Sequence, residues 1–197
     1  MRFRIILLSV LPFVSTICSA QGTITFDGPP IIPRGNADVV QFYSEIGMLF
    51  QSGTSDGFIR QGGGYPQIPD NGTAYIQASA GDSLSFGFSS GAYFNMVSVD
   101  LAGYSTVVPN FSVTFVGNLY NGGTVSTTLS GNGINFQTFN FGPEWTGLTS
   151  VEIPNDAWSL DNLVVTVPEP TAWAFTLTAI CAFTLLRNSI YRRDRRD

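Results

Sequence analysis

Leu84-Ser85-Phe86-Gly87-Phe88 places an apolar side chain at every second position, and three further stretches repeat the rhythm. They are Val97-Ser98-Val99-Asp100-Leu101, Phe111-Ser112-Val113-Thr114-Phe115 and Val125-Ser126-Thr127-Thr128-Leu129. Period two gives a strand one buried face and one wet face. Val, Phe, Thr and Tyr dominate these runs, as strands prefer. Between and around them stand Gly62-Gly63-Gly64, Asp70-Asn71-Gly72, Gly117-Asn118, Asn121-Gly122-Gly123 and Gly131-Asn132-Gly133. Asn-Gly supplies the positive φ of tight hairpins. No helical stripe of useful length occurs between residues 23 and 167. The reading is all-β, an antiparallel β-sandwich or jelly roll.

The predicted strands are 23–27, 38–43, 47–51, 73–78, 83–88, 93–101, 110–116, 123–130, 133–140, 147–153 and 158–166. Residues 28–36 carry Pro29, Pro30 and Pro33 and cannot pair in a central strand. Residues 52–72 hold six glycines and two prolines and form the longest irregular stretch, a binding rim or a mobile insertion.

Both ends differ in kind from this middle. Arg2 and Arg4 precede an apolar run from Ile5 to Val14, and Cys18 and Ala20 fit the small-residue positions before a cut after Ala20. That pattern is an export signal over residues 1–20. Ile17 is too large for the lipoprotein alternative that Cys18 suggests. At the other end Pro168-Glu169-Pro170 leads into 16 uncharged residues from Thr171 to Leu186. As a helix this run is about 24 Å long, a little under a hydrocarbon core of about 30 Å, a deficit that tilt-free thinning and snorkelling cover. Arg187, Arg192, Arg193, Arg195 and Arg196 follow. Clustered arginine beside a span stays cytoplasmic, so the expectation is one C-terminal transmembrane helix with residues 21–167 outside.

The proline-flanked glutamate, the apolar span and the arginine-rich end, in this order, resemble a PEP-CTERM sorting signal of Gram-negative bacteria. The resemblance covers residues 168–197. It implies that an exosortase, a membrane-embedded transpeptidase, removes or exchanges the tail near Pro168-Glu169-Pro170. It also implies a place in the cell envelope, exopolysaccharide or biofilm matrix.

Residues 21–167 contain two arginines (Arg34, Arg60) and no lysine against 11 acids, a net of −9. Phosphate binding needs clustered cations, so nucleic acid is excluded as a partner. Cys18 and Cys181 both lie in the end segments, which leaves the domain without a disulfide. The chain has no histidine, so Ser-His-Asp and Cys-His catalysis are excluded and zinc is disfavoured. A carboxylate pair is the one enzymatic option left, with Glu144 and Glu152 as candidates for glycoside chemistry. The leading expectation is a non-enzymatic surface or matrix protein with a structural or polysaccharide-binding role.

That expectation rests on the three-part tail and on a domain without nucleophile–base pairs. The alternative is a calcium-dependent carbohydrate-binding module, and two constellations bear on binding. Asp27 closes the first predicted strand, and Asp161-Asn162 lie in the last. First and last strands often pair in sandwiches, which brings these residues together as hard-oxygen ligands for calcium. The closing strand weakly resembles those of carbohydrate-binding-type jelly rolls, some of which hold a structural calcium there. The alternative is that Asp161 and Asn162 satisfy a turn or strand edge by side-chain hydrogen bonds. Separately, Tyr65, Tyr120 and Trp145 are candidate platforms for a sugar ring, since an aromatic face with a polar rim defines many small-ligand sites.

Overall fold

The structure is a computed structural model and describes residues 19–78, 82–154 and 157–168. Residues 1–18 of the expected signal peptide, Glu169 and Pro170 of the sorting motif, the transmembrane helix and the arginine tail lie outside the described residues, while Ser19 and Ala20, the last two residues of the expected signal, open the first strand. Among the described residues the regular elements are all strands: β1 (Ser19–Ile24), β2 (Ala37–Val40), β3 (Phe42–Glu45), β4 (Met48–Ser52), β5 (Phe58–Gln61), β6 (Tyr75–Ala78), β7 (Leu84–Phe88), β8 (Asn95–Ala102), β9 (Asn110–Leu119), β10 (Thr124–Asn132), β11 (Gln137–Asn140), β12 (Leu148–Ile153) and β13 (Trp158–Pro168). They form two antiparallel sheets. A seven-stranded sheet runs β11-β8-β13-β6-β5-β2, with β1 also on β13; a six-stranded sheet runs β10-β9-β12-β7-β4-β3.

The alternation read from sequence becomes the core. Phe111, Val113 and Phe115 are buried while Ser112 and Thr114 pair with Ser130 and Thr128 of β10 on the outer face. Phe50 stacks on Phe86 with centroids 5.2 Å apart, and Phe26 meets Phe50 edge-on at 5.1 Å. Each such buried side chain contributes about 1.5–3 kcal/mol. Val97, first of its run, is instead turned outward and 37% exposed.

Four boundaries differ most from expectation. The predicted strand 23–27 is Ser19–Ile24, so Asp27 lies beyond the end of β1. The predicted strand 38–43 is two strands, because the chain leaves one sheet for the other between Val40 and Phe42. Within 52–72 lies β5, whose residues are buried on both faces and so show no alternation. The predicted strand 133–140 shortens to Gln137–Asn140.

β13 organises the larger sheet. β8 pairs along one side of it. On its other side β6 pairs through Trp158, Ser159 and Leu160, and β1 takes over from Leu163 to Pro168. The pairing of first and last strands therefore holds. Asp161 and Asn162 fall in the gap between β6 and β1. There the register with β8 slips and Asn162 adopts φ 45°, a bulge that re-aims side chains.

Candidate functional site

Gly62-Gly63-Gly64 leads the chain from β5 over the outer face of the larger sheet. Gly64 has φ +93°, and a Cβ there would sit 2.9 Å from Arg34 Cγ, so glycine is required for this approach. Asp70 ties the segment down. Its Oδ2 accepts from the Gly64 amide at 3.1 Å and from Arg34 Nη2, and its Oδ1 accepts from the Gly72 amide at 3.0 Å. The Tyr65 hydroxyl donates to the Gly35 carbonyl, and the Gly35 amide donates to the Gly63 carbonyl at 2.9 Å. The phenol is thus pinned while its ring stays 47% exposed.

Arg34, Tyr65, Ile68, Asp70, Ile134 and Asn135 line an open depression of about 320 Å³. Behind it, Tyr75 donates to the Pro69 carbonyl at 2.6 Å and meets Phe136 edge-on at 5.3 Å. Burial and the nearby Asp70 and Asp161 carboxylates push the Tyr75 hydroxyl well above the usual phenol range, so it is a fixed donor. Beside this lies a buried polar ladder: Gln61 Nε2 donates to Gln77 Oε1 at 3.0 Å, and Gln77 Nε2 donates to Ser159 Oγ and the Tyr104 carbonyl, both at 2.8 Å. The 62–73 and 103–109 segments meet where the Thr106 amide donates to the Gln67 carbonyl at 2.8 Å.

The expected calcium residues Asp27, Asp161 and Asn162 lie around the β13 bulge and are hydrogen-bonded there. Asp161 is fully buried. Its Oδ2 accepts from Asn71 Nδ2 at 2.6 Å and Thr73 Oγ1 at 3.0 Å, and its Oδ1 accepts from the Asn162 amide at 2.7 Å. Asn162 Nδ2 donates to Asp100 Oδ2 at 2.9 Å, and Asp27 Oδ1 accepts from the Ala74 amide at 2.7 Å. These bonds hold the bulge and the strand ends around it. Burial is the largest influence on the Asp161 carboxyl and raises it to about 7, helped slightly by Asp27; the three hydrogen bonds pull the other way. Among the described residues no three acidic, cysteine or histidine side chains gather as a metal cluster.

Of the expected sugar platforms, Tyr65 lines the depression and Tyr120 is 60% exposed elsewhere. Trp145 is a correction: it is 1% exposed, with its indole 4.9 Å from the Phe141 ring. Its amide closes a turn onto the Gly142 carbonyl and its carbonyl accepts from Met96, which aims the ring between the sheets. Glu144 and Glu152 are both exposed, one in a turn and one on β12, and neither lines the depression. Arg34, Asp70, Ile134 and Asn135 were not expected at a site. One signal for Arg34 was available: in a domain with two arginines and no lysine, an arginine flanked by Pro33 and Gly35 is a conspicuous fixed cation.

No family model matches the chain, and no curated protein matches it either. Several solved structures are similar at low identity. A family 11 carbohydrate-binding module from Clostridium thermocellum, in complex with a β-1,3-1,4-mixed-linked tetrasaccharide, is 11% identical with a TM-score of 0.37; the match covers 66% of this chain and 94% of that one. The CBM22-1–GH10 modules of Clostridium thermocellum xylanase 10B, complexed with xylohexaose, are 13% identical with a TM-score of 0.36, covering 72% of this chain and 30% of that one. Discoidin II from Dictyostelium discoideum is 14% identical with a TM-score of 0.33, covering 80% and 60%.

Proposed function

We propose that this chain is an exported, exosortase-sorted protein of the cell envelope or extracellular matrix whose sandwich binds polysaccharide at the Tyr65 depression. The observation that carries the binding half is the pinned, half-exposed Tyr65 ring beside the Arg34–Asp70 ion pair and Asn135. A flat aromatic face takes the apolar side of a sugar ring, and a charged and amide rim takes its hydroxyls. Its role is binding, not turnover. The compact unit Ser19–Pro168 is the reagent for the test. On a glycan array, and then by affinity electrophoresis in the polysaccharide found, Tyr65→Ala is expected to weaken retention at least about tenfold. Equal retention of both proteins removes the assignment.

The sorting half is supported by the tripartite tail in the sequence, Pro168-Glu169-Pro170, the run to Leu186 and the arginines beyond. Intact mass of the chain from hosts with and without the transpeptidase is expected to differ by the tail. An unprocessed tail in a host that makes the enzyme sinks this half.

A calcium-dependent carbohydrate-binding module is the second reading. In its favour, the buried Asp161 carboxylate has only neutral bonding partners and lies near Asp27. The donor set fits calcium incompletely. Calcium takes six to eight oxygens, whereas both Asp161 oxygens here accept from N–H or O–H groups. Melting of residues 19–168 with added calcium decides it. Binding at 100 times Kd adds about 2.7 kcal/mol. An unchanged midpoint leaves Asp161 as a hydrogen-bonded carboxyl.

A further inference from the structure

Between Asp100 and Glu144 the chain holds no charged residue, although residues 21–167 carry 11 acids and two arginines. β9, β10 and β11 all lie in this stretch. β10 ends the six-stranded sheet and, among the described residues, pairs with β9 alone. It reads Thr124-Val125-Ser126-Thr127-Thr128-Leu129-Ser130-Gly131-Asn132. None of its nine residues is buried, and its ladder with β9 runs without a bulge. A charge, a proline or a bulge is the usual guard on such an edge, and β10 has none of them. The other sheet edges are shorter. β2, β3 and β11 have four residues each, with Asp38 on β2 and Glu45 on β3, and β1 has six.

The free edge of β10 is also regular in its hydrogen-bonding groups. The Leu119 amide donates to the Gly123 carbonyl at 3.1 Å, opposite it at the mouth of the β9–β10 hairpin. Ladder bonds fall on every second residue from there, so Val125, Thr127, Leu129 and Gly131 bond to β9. The amides and carbonyls of Ser126, Thr128 and Ser130 point away from β9. So does the Asn132 carbonyl, which accepts from Gln137 Nε2 at 2.9 Å. The same even-numbered residues carry exposed hydroxyls, and these are already paired across to β9, Thr128 with Thr114 at 2.9 Å and Ser130 with Ser112 at 3.0 Å.

We propose that two copies of this chain pair along β10, antiparallel about a two-fold axis at Thr128, and join their six-stranded sheets into one. Thr128 is the middle of the strand, so this register uses its whole length. The strand is its own complement there. Thr128 meets Thr128 of the second copy, Ser126 meets Ser130 and Thr124 meets Asn132 on the outer face, while Val125 meets Gly131 and Thr127 meets Leu129 on the inner face. Contact of one patch with itself is what a two-fold dimer requires. Two domains of net charge −9 repel each other, and the uncharged stretch is where they approach at least cost. No like charges face each other across the seam. With the other edges short, and two of them acidic, association stops at two.

The test uses residues 19–168, which close their own core and contain no cysteine. In sedimentation equilibrium the mass is expected to rise with concentration to twice that of one chain and to stop there. Thr128→Lys sets two ammonium groups opposite each other at an exposed position, and it is expected to stay a monomer with an unchanged melting midpoint. Single cysteines read the register. Directly opposite residues of a bonded pair have Cα atoms about 5.5 Å apart, within the disulfide range of about 4.4–6.8 Å. Thr128→Cys is therefore expected to give a disulfide-linked dimer under mild oxidation. Ser130→Cys is not, because its copies lie about 13 Å apart along the seam. Ser130→Cys mixed with Ser126→Cys is expected to link. A monomer mass at every concentration overturns the pairing. So does a dimer that persists in Thr128→Lys, or one in which Ser130→Cys links to itself as readily as Thr128→Cys.

Discussion

Arg60→Ala is expected to remove about 3–5 kcal/mol of the stability of residues 19–168, enough to unfold a marginal domain. Arg60 is fully buried on β5. Its Nη1 donates to the Pro30 carbonyl at 2.9 Å, and its Nη2 donates to those of Phe26 and Gly28 at 2.5 and 2.8 Å. The guanidinium carbon lies 4.3 Å from the Tyr43 ring centroid, a cation–π contact in a dry setting. Removing the side chain leaves three carbonyls without their donor, and each buried orphan costs about 1–3 kcal/mol. It also releases the backbone of Phe26, which holds φ 58° between Arg60 on its carbonyl and Glu45 on its amide. Phe26 is a core ring, so the loss spreads into packing. Arg60→Lys is expected to recover little, because a point-like ammonium cannot reach three carbonyls from two nitrogens of a planar fork. Urea midpoints of the three proteins check this. A loss below about 1 kcal/mol for Arg60→Ala would show that the 26–30 segment holds itself.

The same residue shows why part of the fold was hidden in the sequence. Phe111, Val113 and Phe115 announce a strand because one face is wet and the side chains alternate. Phe58-Ile59-Arg60-Gln61 does not, because loops cover its outer face and an arginine occupies a core position. The β2–β3 break was illegible for another reason: the residues on both sides favour strand, and only the change of sheet at Gln41 separates them. The closing of β1 onto β13 was legible, since terminal strands of a sandwich commonly pair. For the site, Tyr65 stood out by its glycine-rich setting. Its ion pair did not, because Arg34 and Asp70 are 36 residues apart and meet only once Gly62–Gly64 folds back. Ile134 and Asn135 arrive from a third loop. Trp145 read as a platform because position in a turn does not say which way an indole points.

The second large effect is a pH dependence with one owner. The chain has no histidine, so between pH 5 and 8 few groups other than Asp161 change charge. Its carboxyl is raised from 3.8 to about 7 by burial in the gap between β6 and β1. The sign follows from linkage. A carboxyl whose folded value exceeds its unfolded one binds its proton more tightly in the folded state. Its stabilising contribution is complete below pH 4 and is lost as pH rises through 7. At 1.36 kcal/mol per unit the full swing is on the order of 4 kcal/mol. Residues 19–168, with divalent ions chelated, are therefore expected to melt progressively lower from pH 5 to pH 8. Asp161→Asn keeps the volume and an oxygen for the Asn162 amide, and Asn71 and Thr73 can reorient to meet its NH2. This variant is expected to lose most of the slope and to be the more stable protein at pH 8. A slope that survives Asp161→Asn would assign the titration elsewhere. A slope that vanishes in the parent on adding calcium would mean that a cation, not a proton, neutralises the carboxylate at the bulge.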